Sequence, residues 1–343
     1  EGLARDCRAD AACNGAFPNF MDEVRAVADR LERTPGTAEI IDPETGRRLR
    51  LTLSRATFVD LIRRKLYDAG SAAQIPFMVH RAFQGDYRPA VRDALQDRRG
   101  YARYLWWGLS LAITCTEDVP FVDLAQAARD NGRTLLGDWR VRQQAAACRG
   151  WPTYSIPANY HQPVRLDVPT LLISGEYDPV TPASGGEQAL AGLPNGLHIV
   201  VPHAAHGLGG MPGVECVEPL IIRFFRQASV QGLDTSCVRN VRRPPFVLDE
   251  PRTITLDREA AERFAGTWVS TQPALEVRIE ALDGGVLRGR MESENFTVVA
   301  SPVSPTEFHW EGFPAAFAFR FSEDGRTMTM PGQNQPTITL TRR

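Results

Sequence analysis

The 343-residue sequence has no long apolar run; its longest, such as 104–113, fall far short of the ~20 residues a membrane-spanning helix needs. It has no surplus of charge. Lys and Arg together number 39 against 41 Asp and Glu, a formal net charge of −2 with a pI of about 6.4. That balance gives no electrostatic reason to expect nucleic acid or an anionic membrane as partner. It has no Cys-x-x-Cys pair, so the zinc-ribbon and thioredoxin patterns are missing, and no metal or cofactor is expected. It has no G-x-S-x-G, the sharp strand-to-helix turn on which a large class of enzymes presents a nucleophilic serine. No charged segment followed by an apolar stretch opens the chain, which starts at Glu1. We therefore read it as a processed product or a fragment, a reading that leaves export open. There is no internal repeat and no low-complexity segment.

What is present is an ordinary globular composition, 43% hydrophobic and 23% charged, with length for two or three domains. The six cysteines are Cys7, Cys13, Cys115, Cys148, Cys216 and Cys237. Pairing neighbours closes three loops, Cys7–Cys13, Cys115–Cys148 and Cys216–Cys237, one among the many pairings six cysteines allow. Such usage favours an oxidising compartment, and hence an exported protein. The alternative is six buried free thiols in a cytosolic one.

Residues 1–150 read as mainly helical. Phe20, Val24, Val27 and Leu31 share one helix face before a stop at Pro35–Gly36. A hairpin is expected about a turn at Pro43–Gly46. Ser54 can cap a helix in which Phe58, Leu61, Ile62, Leu66 and Tyr67 recur at helical spacing. Further helical stretches follow at 79–83, 87–95 and 121–130.

Residues 151–245 change character. "VPTLLIS" is a continuous apolar run, as expected of a strand buried on both faces. "ASGGEQALAGL" predicts a crossover helix, "LHIVVPH" a second buried strand and "CVEPLIIRFFRQAS" an amphipathic helix, together a βαβα unit with parallel strands. A Pro-rich linker spans 242–251. Residues 255–343 then read as all-β, with alternating runs at 275–282, 317–321 and 337–341 and turn clusters at 283–285, 323–325 and 331–334. Seven or eight short strands predict a small antiparallel barrel or sandwich.

In open parallel sheets functional groups collect beyond the carboxyl ends of the strands. Asp178 follows the first predicted strand and His206 the second, so both loops open on one edge. A carboxylate on one imidazole nitrogen fixes the tautomer and stabilises the charge when the other nitrogen takes a proton from a nucleophile. Asp178 could otherwise be an ordinary turn aspartate before Pro179, and His206 an ordinary loop histidine; their joint placement favours the catalytic reading. His203 is expected to be structural. The glycines after His206 leave room for a mobile loop. "GLSLA" at 108–112 is the nearest approach to a serine elbow. It lacks the second glycine and sits in a helical stretch, so Ser110 reads as structural.

Four stretches carry a resemblance to a known family: "CRADAACNGAFP", "KLYDAGSAAQIPFMVHRAFQGDY", "AITCTEDVPF" with "ACRGWP", and "PTLLISGEYDPVTP" through "AAHGLGGMPGVECVEPLIIRFF". Over about 1–245 the chain resembles the C-terminal part of tripeptidyl-aminopeptidase-like and proline-iminopeptidase-like serine peptidases of the α/β-hydrolase fold. The resemblance implies a helical cap over 1–150, ending in a disulfide-linked return to the core, and the last core strands and helices over 151–245. It puts the family's acid at Asp178 and its histidine at His206. The family's serine falls upstream of Glu1, with the N-terminal half of the core. Cap carboxylates in such relatives hold the free amino group of a peptide, which makes Glu117 a candidate, alongside an ordinary solvated or capping role. Trp106 and Trp107 could line an apolar pocket, with cap packing the favoured role. The tail, with "FAGTWVS" and "DGGVLRGRM", is similar to lipocalin-like domains appended to some bacterial serine hydrolases.

The expected class is thus α/β, the C-terminal part of an α/β-hydrolase core with a helical cap, followed by a small antiparallel β domain. The expected function is an exported serine exopeptidase acting on small peptides. The alternatives are an esterase or other capped hydrolase, and a chain that on its own is a non-catalytic piece or binding module.

Overall fold

The computed structural model describes residues 1–291, 296–313, 318–331 and 337–343. In the helical region, Phe20–Arg33 buries Phe20, Val24, Val27 and Leu31, the face set by its apolar spacing. The extended backbone at Thr34 ends it. The chain then makes an antiparallel hairpin of β1 (Gly36–Ile41) and β2 (Arg48–Leu53). Asp42 organises its turn by accepting from the Glu44 amide at 3.0 Å and the Thr45 hydroxyl at 2.7 Å. Ser54 caps the next helix, Arg55–Lys65, its hydroxyl accepting from the Thr57 amide at 3.1 Å. Helices Ile75–Phe83 and Arg88–Tyr104 complete a core built around Phe58, Ile75, Val79 and Ala90. Phe246 joins that core. The segment that reads as a linker is therefore strapped onto the helical region by an apolar anchor.

Strands β3 (Thr170–Gly175) and β4 (Gly196–Val201) pair in parallel, from Thr170 opposite Gly196 to Gly175 opposite Val201. Helix Ala183–Leu190 makes the crossover, and Val217–Gln227 follows β4. One expectation is corrected here. Neither strand is buried on both faces: in β3 only Gly175 is buried, and in β4 only Ile199 and Val201. The reason is the sheet's width, two strands among the described residues, which leaves both edges without a paired neighbour. Helix Val217–Gln227 buries Val217 and Leu220 against this sheet while Phe225 stays 75% exposed. Cap-core packing of Trp106 and Trp107 is also corrected. They are 77% and 50% exposed, because no described element covers the face they occupy.

The tail is a closed up-and-down barrel of β5 (Gly266–Thr271), β6 (Ala274–Ala281), β7 (Leu287–Met291), β8 (Phe296–Pro302), β9 (Glu307–Trp310), β10 (Ala318–Phe321), β11 (Thr327–Met330) and β12 (Ile338–Arg342). Each strand pairs antiparallel with the next, and β12 closes on β5 through Thr341–Val269 and Arg342–Trp268. Alternation drives it: in β6, Val277, Ile279 and Ala281 point inward between exposed neighbours. Phe264 stacks on Phe321 at 4.1 Å and Trp310 on Phe319 at 4.1 Å, so the interior is filled by aromatic rings. Gly289 is required beneath Trp310, where a Cβ would lie 2.6 Å from the indole. Phe317 of the expected run 317–321, and positions 332–334 of the expected turn 331–334, lie outside the described residues.

Arg92 ties barrel, linker and helices together. Only 8% exposed, it bonds Asp93 at 3.1 Å and lies 3.6 Å from Glu250 and 4.0 Å from Glu311. Asp93 in turn pairs with Lys65 at 2.7 Å. A second link runs from Arg288 on β7, which donates to the Glu44 carbonyl in the hairpin turn at 2.9 Å.

Candidate active site

The loops after β3 and β4 meet through their backbones. The Glu176 amide donates to the Val201 carbonyl at 3.0 Å, and the Tyr177 amide to the Ala204 carbonyl at 2.8 Å. Gly175 permits this approach, since a Cβ there would lie 2.1 Å from the Ala205 carbonyl oxygen. Parallel register puts both loops at one sheet edge, and the contact brings Asp178 to His206. The imidazole Nδ1 lies 3.0 Å from Oδ2 and 3.2 Å from Oδ1 of Asp178.

Asp178 is also a turn aspartate, and the two roles reinforce each other. Its Oδ1 accepts from the amides of Val180 at 2.8 Å and Thr181 at 2.9 Å, and its Oδ2 from the Thr181 hydroxyl at 2.7 Å. Burial pushes this carboxyl up. The bonds from Thr181, Val180 and His206 outweigh that and hold it below the usual carboxylate range. The group is therefore an anion at neutral pH, with its side chain 6% exposed. An anionic acceptor at Nδ1 favours the tautomer with the proton there and leaves Nε2 as a base. The His206 side chain is 42% exposed, and its Nε2 bonds no described residue.

Sequence reasoning missed the groups that fix the ring. The His206 amide donates to the Tyr67 carbonyl at 3.1 Å, and the Tyr67 ring meets the imidazole edge-on at 5.4 Å. The Tyr67 hydroxyl accepts from Arg63 at 2.8 Å. Nothing in the sequence near Tyr67 marks it. Thr181 carries a legible signal, an Asp followed by Pro and a Thr at the third position, a self-bonding turn.

The remaining expected residues fall elsewhere. Glu117 lies in a π-helical turn, Thr114–Asp118, and accepts from the hydroxyls of Tyr154 and Tyr160. Those bonds hold its carboxyl below the usual range and push the Tyr154 hydroxyl up to about 12. Phe121 packs on His161 beside it at 4.2 Å. Glu117 makes no bond to Asp178 or His206. His203, expected to be structural, bonds Asp6 at 2.8 Å and neither Asp178 nor His206. Ser110 lies inside the helix Trp107–Ile113 and bonds neither triad candidate. Ser174 pairs with a different histidine, His198, at 2.9 Å. The three disulfides are Cys7–Cys13, Cys115–Cys148 and Cys216–Cys237. Among the described residues no group of three or more His, Cys, Asp or Glu could hold a metal ion, and no helix is long and apolar enough to cross a membrane. A cleft of about 390 Å³ between the N-terminal helices and Phe17–Arg25 is lined by neither Asp178 nor His206.

Residues 134–237 match the family model described as TAP-like protein. The match spans β3, β4 and both candidate loops, and supports a hydrolase of the α/β-hydrolase family. With it, the architecture fits part of an α/β hydrolase followed by an eight-stranded antiparallel barrel. No curated protein and no solved structure matches the chain.

Proposed function

We propose that this chain supplies the acid and the base of a serine hydrolase, with Asp178 orienting the imidazole and His206 moving the proton. The observation that carries the reading is the bond from His206 Nδ1 to the Asp178 carboxylate at 3.0 Å, at the carboxyl end of two parallel strands. In the first half of the reaction Nε2 takes the proton of the nucleophile as that group attacks a carbonyl. It then passes that proton to the leaving group, and in the second half it takes a proton from water, which attacks the acyl-enzyme, and returns it to the nucleophile.

The nucleophile is proposed to be a serine outside these residues, on a further segment of the core. In support, His206 Nε2 meets no described hydroxyl or thiol, all six cysteines are paired, and the unpaired edges of β3 and β4 suit further strands. The same segment would cover the exposed apolar side chains at Trp106, Val164 and Phe225. Residues 1–150 would then act as the lid and 255–343 as an accessory domain attached to it.

The substrate is proposed to be a short peptide cut from its N-terminus. Glu117 is the support: a carboxylate held anionic by two tyrosine hydroxyls, next to the Phe121 and His161 rings, suits an ammonium group. Three disulfides suit export to an oxidising compartment. The test is a side-by-side assay, on the chain extended by its upstream coding region, of aminoacyl-anilides with free and acetylated amines and of short-chain esters. Preference for the free amine is expected. Preference for esters would make the protein an esterase, and turnover of none would leave a non-catalytic module.

A further inference from the structure

We propose that Asp6 is a positioning residue for the Asp178/His206 pair, its carboxylate clamping the acid loop to the histidine loop. The proposal rests on the catalytic reading of that pair. Asp6 lies on the N-terminal helix Gly2–Ala9, far from both loops in sequence. Its Oδ1 accepts from the Tyr177 hydroxyl at 2.9 Å, and its Oδ2 from Nδ1 of His203 at 2.8 Å. Tyr177 immediately precedes Asp178, and His203 stands three positions before His206. One carboxylate, its side chain 11% exposed, thus grips both loops next to the residues that must meet.

The clamp is built from stiff parts. Cys7, next to Asp6, is bonded to Cys13, and Asp10 caps the following helix through the Cys13 amide at 2.8 Å. The backbone carrying Asp6 is therefore fixed at a corner. At the other end His203 takes a left-handed conformation, φ 58°, which a non-glycine residue rarely adopts. That turn lets its amide donate to the Glu176 carboxylate at 2.9 Å while its ring reaches Asp6. Arg243 closes the cluster, 3.8 Å from Asp6 and over the Phe246 ring at 3.3 Å. Burial lowers its guanidinium to about 10. A strained residue held on two carboxylates is a costly way to attach a terminal helix. It is an economical way to set the spacing of two loops whose functional groups lie 3.0 Å apart.

The test is NMR on the full chain, labelled with nitrogen-15, comparing Asp6→Ala, Asp6→Asn and Tyr177→Phe. Two readouts report on the pair: the His206 Nδ1–H signal, and amide exchange at Tyr177 and His206. Asp6→Ala is expected to speed exchange at both amides about tenfold or more and to broaden or remove the Nδ1–H signal, with barrel amides unchanged. Asp6→Asn, whose carbonyl can still accept from Tyr177, is expected to fall between, and Tyr177→Phe to move exchange the same way by about threefold. Unchanged exchange and an unchanged signal in Asp6→Ala would overturn the proposal. Should that variant not fold, Tyr177→Phe decides by the same readouts. Absence of the Nδ1–H signal from the unsubstituted chain would sink the catalytic reading instead, with the clamp still judged by amide exchange.

Discussion

His206 reaches Asp178 because Ser174 on β3 lies opposite Val200 on β4, a parallel register that delivers both loops to one sheet edge. The carboxylate then serves two structures at once, its own turn and the imidazole. Asp178→Asn keeps the turn acceptor but removes the charge and disturbs the tautomer. We expect kcat to fall by about 10³- to 10⁴-fold with little change in stability, read from steady-state kinetics beside a thermal melt.

Glu117→Gln tests the proposed amine recognition apart from the chemistry. The amide is neutral but can still accept from Tyr154 or Tyr160. For substrates with a free N-terminal amine, kcat/KM is expected to drop by about 10- to 100-fold. Acetylated analogues should be unaffected, and an equal loss on both would remove Glu117 from recognition.

Acid should loosen the hairpin turn. Burial pushes Asp42 up, but Arg99, Thr45 and the Glu44 amide bring its carboxyl down to about 2. A carboxyl lowered on folding stabilises the folded state above its unfolded value of roughly 4, and that contribution is lost as pH falls from there toward about 2. Melting temperature followed from pH 6 to pH 2 should show it. Asp42→Asn should be less stable than the native chain at pH 6 and nearly equal to it at pH 2.

Arg92→Leu tests the junction between barrel and helices. It leaves Asp93, Glu250 and Glu311 without their shared cation, and breaking such a buried node costs about 3–5 kcal/mol. Limited proteolysis in the stretch 242–257 should accelerate, releasing an intact barrel. Unchanged proteolysis would mean that Phe246 and the Arg288–Glu44 bond hold the junction without Arg92.

Where the sequence was informative, one physical rule acted locally. Helical spacing at Phe20, Val24, Val27 and Leu31, the Ser54 cap and the inward alternation of Val277 and Ile279 each depend on near neighbours in the chain. Asp178 and His206 were legible for the same reason, since each lies just past an apolar run. Asp6, Tyr67 and Tyr154 were not, because their roles come from contacts across the fold that no spacing rule reaches. The burial of β3 was misjudged from composition alone: "TLLIS" is apolar enough for a central strand, but burial depends on neighbours the sequence does not name. Trp106 and Trp107 were misplaced on the same ground.

The most direct test of the account is turnover of a free-amine aminoacyl-anilide by the chain extended by its upstream coding region, native against His206→Ala. Without the imidazole no group bonded to Asp178 can take the nucleophile's proton, and kcat is expected to fall by about 10³-fold or more while the protein stays folded. Turnover retained by His206→Ala within about tenfold of native would contradict the assignment of His206 as the base.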